Sequence, residues 1–393
     1  MRTGLKVVLL TMMVLLGCVS AYGKVSYRLS YKDDKQFDGL KKTSWNGWFF
    51  DGNGKVAGTL AVDCAKPSAS GYKVKASALL IGSSKKISLS GICVLDLQTG
   101  LVRGTLTASS TGETMEIRIT QYKAYGVLIR GSEKYDFDCG RRFSSDKAET
   151  RSAKLAETQG NYVMACWAEP ILGAFRGFVG LTIKVNAKGK AKISGYLPDG
   201  SKVNVTAQAV FDDRNGVFVP VFAQVHNKKG AFGGFLLCLS KSCEVLSVSK
   251  LGNGYWDGIS AKTARSANLY FQRIGRVSNS SGPLATREYT IQSWTPKSGW
   301  GSVYVDYGGE ELIAATVPGT KMTYSGGKFN PLDQTSKLKL SYKSKTGELT
   351  GSFKLQTKSG LTYNSKVAGV FINGIGYMSG FTKEKGCVGL AIR

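Results

Sequence analysis

The chain has 393 residues, with 49 glycines, 8 prolines and a hydrophobic fraction of 42%. Frequent glycine without a collagen period, scarce proline and alternating apolar runs exclude a collagen-like or disordered chain and favour an all-β protein with tight turns. The formal net charge is +26, but the basic residues are spread without a dense Lys/Arg run, so no specific nucleic-acid module is expected.

The first 21 residues have the layout of a secretory signal peptide. A basic start at Arg2 and Lys6 precedes an apolar stretch over 7–16, and Ala21 supplies a small residue for cleavage. In an alternative processing route, Cys18 ends a Leu-Leu-Gly-Cys lipobox and carries a lipid. The expected location is therefore the periplasm, cell surface or medium, with or without a lipid anchor, and no transmembrane span is predicted in the mature chain.

Residues 24–143 are predicted to form a first β-domain. The dipeptide Asp51-Gly52 is typical of a tight hairpin, and turn signals recur about every ten residues. This spacing favours a barrel or a sandwich. The expected strands cover 45–52, 55–63, 72–81, 86–97, 101–108, 114–120 and 125–130.

Residues 144–159 interrupt the strand pattern. Asp146 has the position of a helix N-cap, with Glu149 three residues later, and the segment contains no glycine. We expect a short linker helix at a domain boundary.

Residues 160–393 are predicted to form a second β-domain. It consists of two similar units, 160–257 and 289–393, separated by a Ser-, Asn- and Arg-rich connection over 258–288. The alternative is two separate domains. The predicted fold class is thus all-β, with tandem antiparallel β-barrel or β-sandwich domains joined by a short helix.

Eight cysteines are compatible with disulfides in an exported protein. Cys238 and Cys243 bracket a short turn and are the best local candidates for a disulfide. Cys64 and Cys93 are a further candidate pair if their strands are neighbours. One histidine and the lack of a C-x-x-C pair argue against a metal site.

No catalytic constellation is predicted. The single histidine, His226, precedes a turn, and the nearest carboxylates in sequence, Asp212 and Asp213, flank a separate turn. Asp199 also lies in a turn, where aspartate commonly caps its own backbone. We therefore expect neither an enzyme nor a cofactor.

Three aromatic residues are candidates for ligand stacking. Trp45 lies near a hairpin, and Trp294 and Trp300 flank a loop, where exposed rings could bind sugars. Aromatic residues on alternating strand positions ordinarily fill the core, which is the interpretation for Trp48 and Trp256.

Two stretches carry a family resemblance. The segment Gly180-Leu181-Thr182-Ile183-Lys184-Val185 and the later segment Thr346-Gly347-Glu348-Leu349-Thr350-Gly351 resemble a glycine-rich β-repeat of uncharacterised secreted and cell-surface bacterial proteins. The resemblance implies tandem β-barrel units outside the cytoplasm and no assigned activity.

The leading functional hypothesis is a non-catalytic secreted or cell-surface β-repeat protein, acting as a structural or interaction module of the bacterial envelope. The alternative is a protein that binds carbohydrate or another polyanion, such as envelope polysaccharide, through loop aromatics and lysines. A polysaccharide-degrading enzyme ranks third. The sequence leaves the ligand and the oligomeric state open.

Overall fold

A computed structural model describes three sheets built almost entirely from antiparallel strands. The described residues are 42–52, 54, 56–142, 156–172, 177–212, 216–238, 254–259, 264–277, 288–295, 299–300, 305–307, 310–313, 321–332, 338–357, 362–382 and 386–393. The predicted signal peptide and Cys18 lie outside these residues. Of the predicted linker helix, residues 156–158 are helical and 144–155 lie outside the description.

The first unit is a closed eight-stranded barrel, which confirms the predicted fold class. Its strands are β1 (Thr43–Phe50), β2 (Val56–Ser68), β3 (Gly71–Leu80), β4 (Ile87–Asp96), β5 (Leu101–Thr107), β6 (Thr114–Ile119), β7 (Lys123–Arg130) and β8 (Glu133–Arg141). Sequence analysis missed β8, which closes the barrel by pairing with both β7 and β1. Its alternation is weak because Asp138, Cys139, Gly140 and Arg141 are all buried.

Strand β1 is buried on both faces. Trp45 and Phe49 point into the barrel and belong to its core. Trp48 and Phe50 lie on the opposite face and pack into the core of the second sheet. Because side chains alternate between the two faces of a strand, the aromatic residues of β1 contribute to two different cores.

The second sheet has nine strands. They are β9 (Gly160–Leu172), β10 (Gly177–Val185), β11 (Lys190–Tyr196), β12 (Lys202–Gln208), β13 (Val210–Asp212), β14 (Gly216–Val225), β15 (Gly230–Cys238), β16 (Gly254–Ile259) and β17 (Ala264–Arg276). The order across the sheet is β12-β11-β10-β9-β17-β16-β15-β14-β13. Since only Ala209 separates β12 from β13, the two ends of the sheet are held close together.

The ends of the second sheet meet at a seam. β12 pairs with β11, whereas its continuation β13 pairs with β14. β12 and β14 lie near each other, yet no ladder joins them among the described strands. The sheet is thus curled almost into a ring, with one unpaired gap.

The prediction of a connection over 258–288 was wrong for its first half. Strand β17 runs through residues 264–276 and pairs with both β9 and β16. Its ladder with β9 shifts register twice, between Ser266 and Ala267 and between Tyr270 and Arg273. Such irregularity blurs the alternation that identifies a strand in sequence.

The third sheet contains the remaining eleven strands. They are β18 (Glu288–Thr295), β19 (Gly299–Trp300), β20 (Val305–Tyr307), β21 (Glu310–Ile313), β22 (Lys321–Ser325), β23 (Lys328–Pro331), β24 (Lys339–Lys343), β25 (Glu348–Thr357), β26 (Thr362–Ile372), β27 (Ile375–Thr382) and β28 (Gly386–Ile392). Pairing of β25 with β26 completes a ring through β24, β23, β22, β18, β28 and β27.

The second and third sheets pack at unusually close range. A Cβ on Gly180 would lie only 2.9 Å from the Cα of Gly369, so the two backbones meet where both residues lack side chains. Beside this contact, Ser379 Oγ accepts a hydrogen bond from the Phe178 N–H at 2.7 Å and donates one to the Phe178 carbonyl at 3.0 Å.

Candidate functional site

A cleft with both polar and apolar lining lies between the first barrel and the seam of the second sheet. Its volume is about 520 Å³. One wall is the outer face of β2 and β3, where Thr59 pairs with Leu79 and Ala61 pairs with Ser77. The other wall is β12 together with β14. We call this space the interdomain cleft.

The lining of the interdomain cleft is rich in hydroxyl and amide groups. These groups can donate and accept hydrogen bonds, which suits a polyhydroxylated ligand. They belong to Asn46, Thr59, Ser77, Ser83, Ser84, Asn204, Thr206, Gln208 and Gln224. Residues 203–208 of β12 also have one unpaired backbone edge toward the seam, within the described part of the chain.

The charges of the interdomain cleft have one sign. Lys86, Arg142 and Lys228 line it, and no Asp or Glu is among the described lining residues. Lys86 and Lys228 are exposed, whereas Arg142 is half-buried. A cleft with low-dielectric walls and charges of one sign focuses its field and attracts counter-ions, here anions.

Arg142 joins the two walls of the interdomain cleft. Its backbone N–H donates to the Ser44 carbonyl at 2.8 Å, and it forms an antiparallel bridge with Val210. Its Nε donates to Asn46 Oδ1. Burial lowers the pKa of the Arg142 guanidinium, while Asp63 acts in the opposite direction. An arginine remains charged at neutral pH despite such a shift.

Gln224 holds the barrel and the second sheet together across the cleft. Its Nε2 donates to the carbonyls of Ser83 at 3.0 Å and Leu80 at 3.4 Å. Both acceptors lie at the end of β3 or just beyond it. The side chain therefore fixes the distance between the two walls.

The turn between β14 and β15 places Lys228 at the cleft. His226, Asn227 and Lys228 have positive φ angles of 52°, 54° and 71°. Three consecutive left-handed residues without glycine are uncommon, and each carries a steric cost. Such a backbone persists only where the surroundings hold it.

The surroundings of this turn include an unexpected polar cluster. His226 Nε2 lies 3.6 Å from Asp199 Oδ2, and the two side chains are 6% and 1% exposed. Ser201 donates its backbone N–H to Asp199 Oδ1 at 2.9 Å and its hydroxyl to Oδ2 at 3.0 Å. Ser201 Oγ lies 3.4 Å from His226 Nδ1.

This cluster joins the β11–β12 turn to the β14–β15 turn across the seam. Sequence analysis placed the nearest carboxylates, Asp212 and Asp213, at a separate turn and gave His226 no carboxylate partner; the fold brings Asp199 beside it. An activated serine gives its proton to an imidazole. The Ser201 hydroxyl lies within reach of both the Asp199 carboxylate and the His226 imidazole, so the three side chains connect the two turns.

The burial of Trp45 contradicts its proposed role as a stacking residue. Its ring is 0% exposed inside the first barrel. Trp294 and Trp300 are cross-strand partners in the β18–β19 hairpin, and their side chains lie outside the description. Trp48 is buried, as interpreted from sequence.

Cys64, Cys93, Cys139 and Cys166 are buried free thiols. Burial raises the pKa of Cys64 to about 12 and that of Cys93 to about 11. Cys64 on β2 and Cys93 on β4 are separated by β3, so their strands are not neighbours. Of the other candidate disulfide, Cys238 ends β15 and Cys243 lies outside the described residues.

Sequence reasoning did not find the residues that line the interdomain cleft. Lys86, Arg142, Gln224 and Lys228 lie in three separate parts of the chain, and no local motif distinguishes them from other polar surface residues. Only the packing of one unit on another brings them together.

Comparisons of the chain with protein-family models, curated proteins and solved structures found no match. Within the described residues, no helix is long and apolar enough to cross a membrane.

Proposed function

We propose that this chain is an exported, non-catalytic β-repeat protein of the bacterial envelope that binds acidic polysaccharide in the interdomain cleft. The observation that carries the proposal is the lining of the cleft, which combines three cations with many hydroxyl and amide groups and has no carboxylate among the described residues. Cations attract acidic groups of a polymer, and the neutral polar groups suit sugar hydroxyls.

The dimensions of the cleft also support this proposal. Its volume of about 520 Å³ falls in the range of small-molecule sites, which would accommodate a few sugar residues. The small side chains of Ala61 and Ser77 form part of the wall that the first barrel supplies. The signal-peptide layout of residues 1–21 supports export, which brings the chain to envelope polymers.

The first experiment compares salt-dependent retention on immobilised heparin, an acidic polysaccharide. K86Q/K228Q removes two cleft cations while leaving Arg142, which holds the two walls together. We expect the variant to elute at lower salt, and the slope of log affinity against log salt to fall in magnitude by roughly 2 if counter-ion release follows the rule for polyanions.

The matched control is K328Q/K345Q, which removes the same charge from exposed positions in the third sheet. It should elute close to the unmodified protein. Equal shifts for both variants would mean that retention depends on net charge, which contradicts a specific cleft. Equally strong retention on neutral dextran would contradict an acidic ligand.

A further inference from the structure

A second basic surface lies on the outer face of the first barrel, away from the interdomain cleft. Cross-strand pairing aligns Val94 with Arg103, Arg103 with Arg118, and Arg118 with Tyr125. Residues paired directly across antiparallel strands point to the same face, with Cβ atoms about 5 Å apart. The four side chains therefore form one row over β4, β5, β6 and β7.

Two arginines in direct register repel each other unless something neutralises them. Arg103 and Arg118 are both exposed. Arg103 Nη2 forms an ion pair with Asp96 Oδ2 at 3.2 Å. No described carboxylate forms an ion pair with Arg118. The pair thus has one carboxylate for two guanidinium groups.

Asp96 is held in place as the partner of Arg103. It accepts hydrogen bonds from Thr99 Oγ1 at 2.8 Å and from the Gln98 N–H at 3.0 Å. These hydrogen bonds lower the pKa of Asp96, and the bond from Thr99 has the largest effect. The Asp96 carboxylate therefore remains ionised at neutral pH. Arg103 is therefore oriented in the ligand-free state.

The other end of the row is also ordered. Lys123 Nζ lies 5.4 Å from the centroid of the Tyr125 ring and 3.0 Å from Asp138 Oδ2. The Lys123 charge is thereby compensated within the protein. Of the three cations Arg103, Arg118 and Lys123, only Arg118 has a charge that is not compensated by a described ion pair.

The surface around Arg118 is concave. Two shallow depressions of about 420 and 460 Å³ lie on either side of it, and both are lined by Arg118, Gly126 and Val127. Glu116 lines the first depression, which also contains Arg103, whereas Asp51, Asp136 and Asp138 line the second. These carboxylates limit the space that an extended acidic polymer could occupy on either side of Arg118. A compact anion between the two arginines fits this arrangement.

We propose that Arg103 and Arg118 together bind a compact oxyanion, a sulfate or phosphate ester group, on the outer face of the first barrel. Planar guanidinium groups match the oxygens of such anions and form charge-assisted hydrogen bonds with them. The anion removes the repulsion between the arginines. This site is independent of the interdomain cleft and does not rest on the function proposed for it.

The test follows the side-chain Nε–H resonances of arginine by NMR during titration with inorganic phosphate at constant ionic strength. Signals of Arg103 and Arg118, assigned through the single variants R103Q and R118Q, should shift together and saturate. Each single variant should weaken binding about tenfold, as expected for loss of a hydrogen bond to a charged group. Both positions are exposed, so folding should be preserved.

Two matched controls separate this site from other cations. R130Q changes an arginine on β7 that faces Glu113, and K86Q/K228Q changes the cleft; both should leave the saturable shifts intact. Shifts that never saturate, or that saturate at the same phosphate concentration in R118Q as in the unmodified protein, would overturn the proposal. Loss of heparin retention in K86Q/K228Q with intact phosphate binding would show that the two sites act separately.

Further titrations identify the source of the oxyanion. A sulfated disaccharide, glucose 6-phosphate and vesicles containing phosphatidic acid each present the same chemical group. Saturable competition with inorganic phosphate by any one of them would support the site and name its source. Failure of all three to displace phosphate would overturn the assignment to an ester ligand.

Discussion

Neighbouring aromatic residues of β1 lie on opposite faces of the strand and pack into different cores. Trp45 fills the first barrel, and Trp48 fills the core that the barrel shares with the second sheet. Trp45 was expected near a ligand because an aromatic cluster beside a hairpin can be exposed. The period of two predicts that these residues face opposite sides, but it does not show that both sides are covered.

The cysteines should be unreactive in the folded protein. A thiol with a pKa of about 11, as for Cys93, is ionised in roughly one molecule in a thousand at pH 8. Only the thiolate reacts with iodoacetamide, and burial blocks access as well. Peptide mass spectrometry should find Cys64, Cys93, Cys139 and Cys166 unlabelled before unfolding and labelled after it.

Measuring the labelling rate at higher pH gives a more stringent test of this prediction. Because burial raises the thiol pKa values, labelling should stay slow up to about pH 10, where an ordinary cysteine is mostly thiolate. Rapid labelling of Cys64 or Cys93 in the folded state at pH 8 would contradict their burial in the barrel.

At the scale of the element, hairpins formed where turn chemistry predicted them. The turn at Asp51-Gly52 and the turn at Asp199 both join adjacent antiparallel strands. Strands β8 and β17 escaped prediction because consecutive buried residues in β8 and register shifts in β17 obscure the two-residue alternation. Turn residues act locally, whereas the ladder of a closing strand does not.

The β14–β15 turn offers a test in which stability and binding change in opposite directions. Lys228 has a φ of 71°, which glycine adopts without the cost that a Cβ imposes. Lys228→Gly should therefore leave the free energy of unfolding unchanged or raise it by about 0.5 kcal/mol, after subtracting the greater chain entropy of glycine. The same variant should elute from heparin at lower salt.

Lys229→Gly is the matched control, because Lys229 belongs to the same turn and is not among the residues with positive φ. It should lower stability by roughly 0.5–1 kcal/mol. Lys229 does not line the interdomain cleft. A destabilising Lys228→Gly, measured by urea denaturation, would contradict the strained turn.

At the scale of the whole molecule, residues of all three units meet in one apolar cluster, in addition to the core inside the first barrel. Trp48, Phe50 and Val56 of the first barrel cluster with residues of the second sheet, and Ala368 and Phe381 of the third sheet join them. Such continuity predicts that the first barrel and the second sheet depend on each other for stability.

Trp48→Ala should lower the free energy of unfolding by about 3–5 kcal/mol, the usual cost of removing a large buried aromatic ring. Chemical denaturation followed by circular dichroism would measure it. Leu97→Ala is the control, since Leu97 is 86% exposed and its removal should change little. A loss below about 1 kcal/mol for Trp48→Ala would mean that the barrel is attached weakly.

The sequence alone determined the all-β class and the first seven strands of the barrel, because glycine and aspartate turn signals and two-residue alternation act within a few residues. Only the tertiary structure shows which strands close each sheet, that both faces of β1 are covered, and that Asp199 lies beside His226. The interdomain cleft belongs to this second group. Its cations come from turns and a strand end far apart in sequence, and closure of one sheet against another is what brings them together.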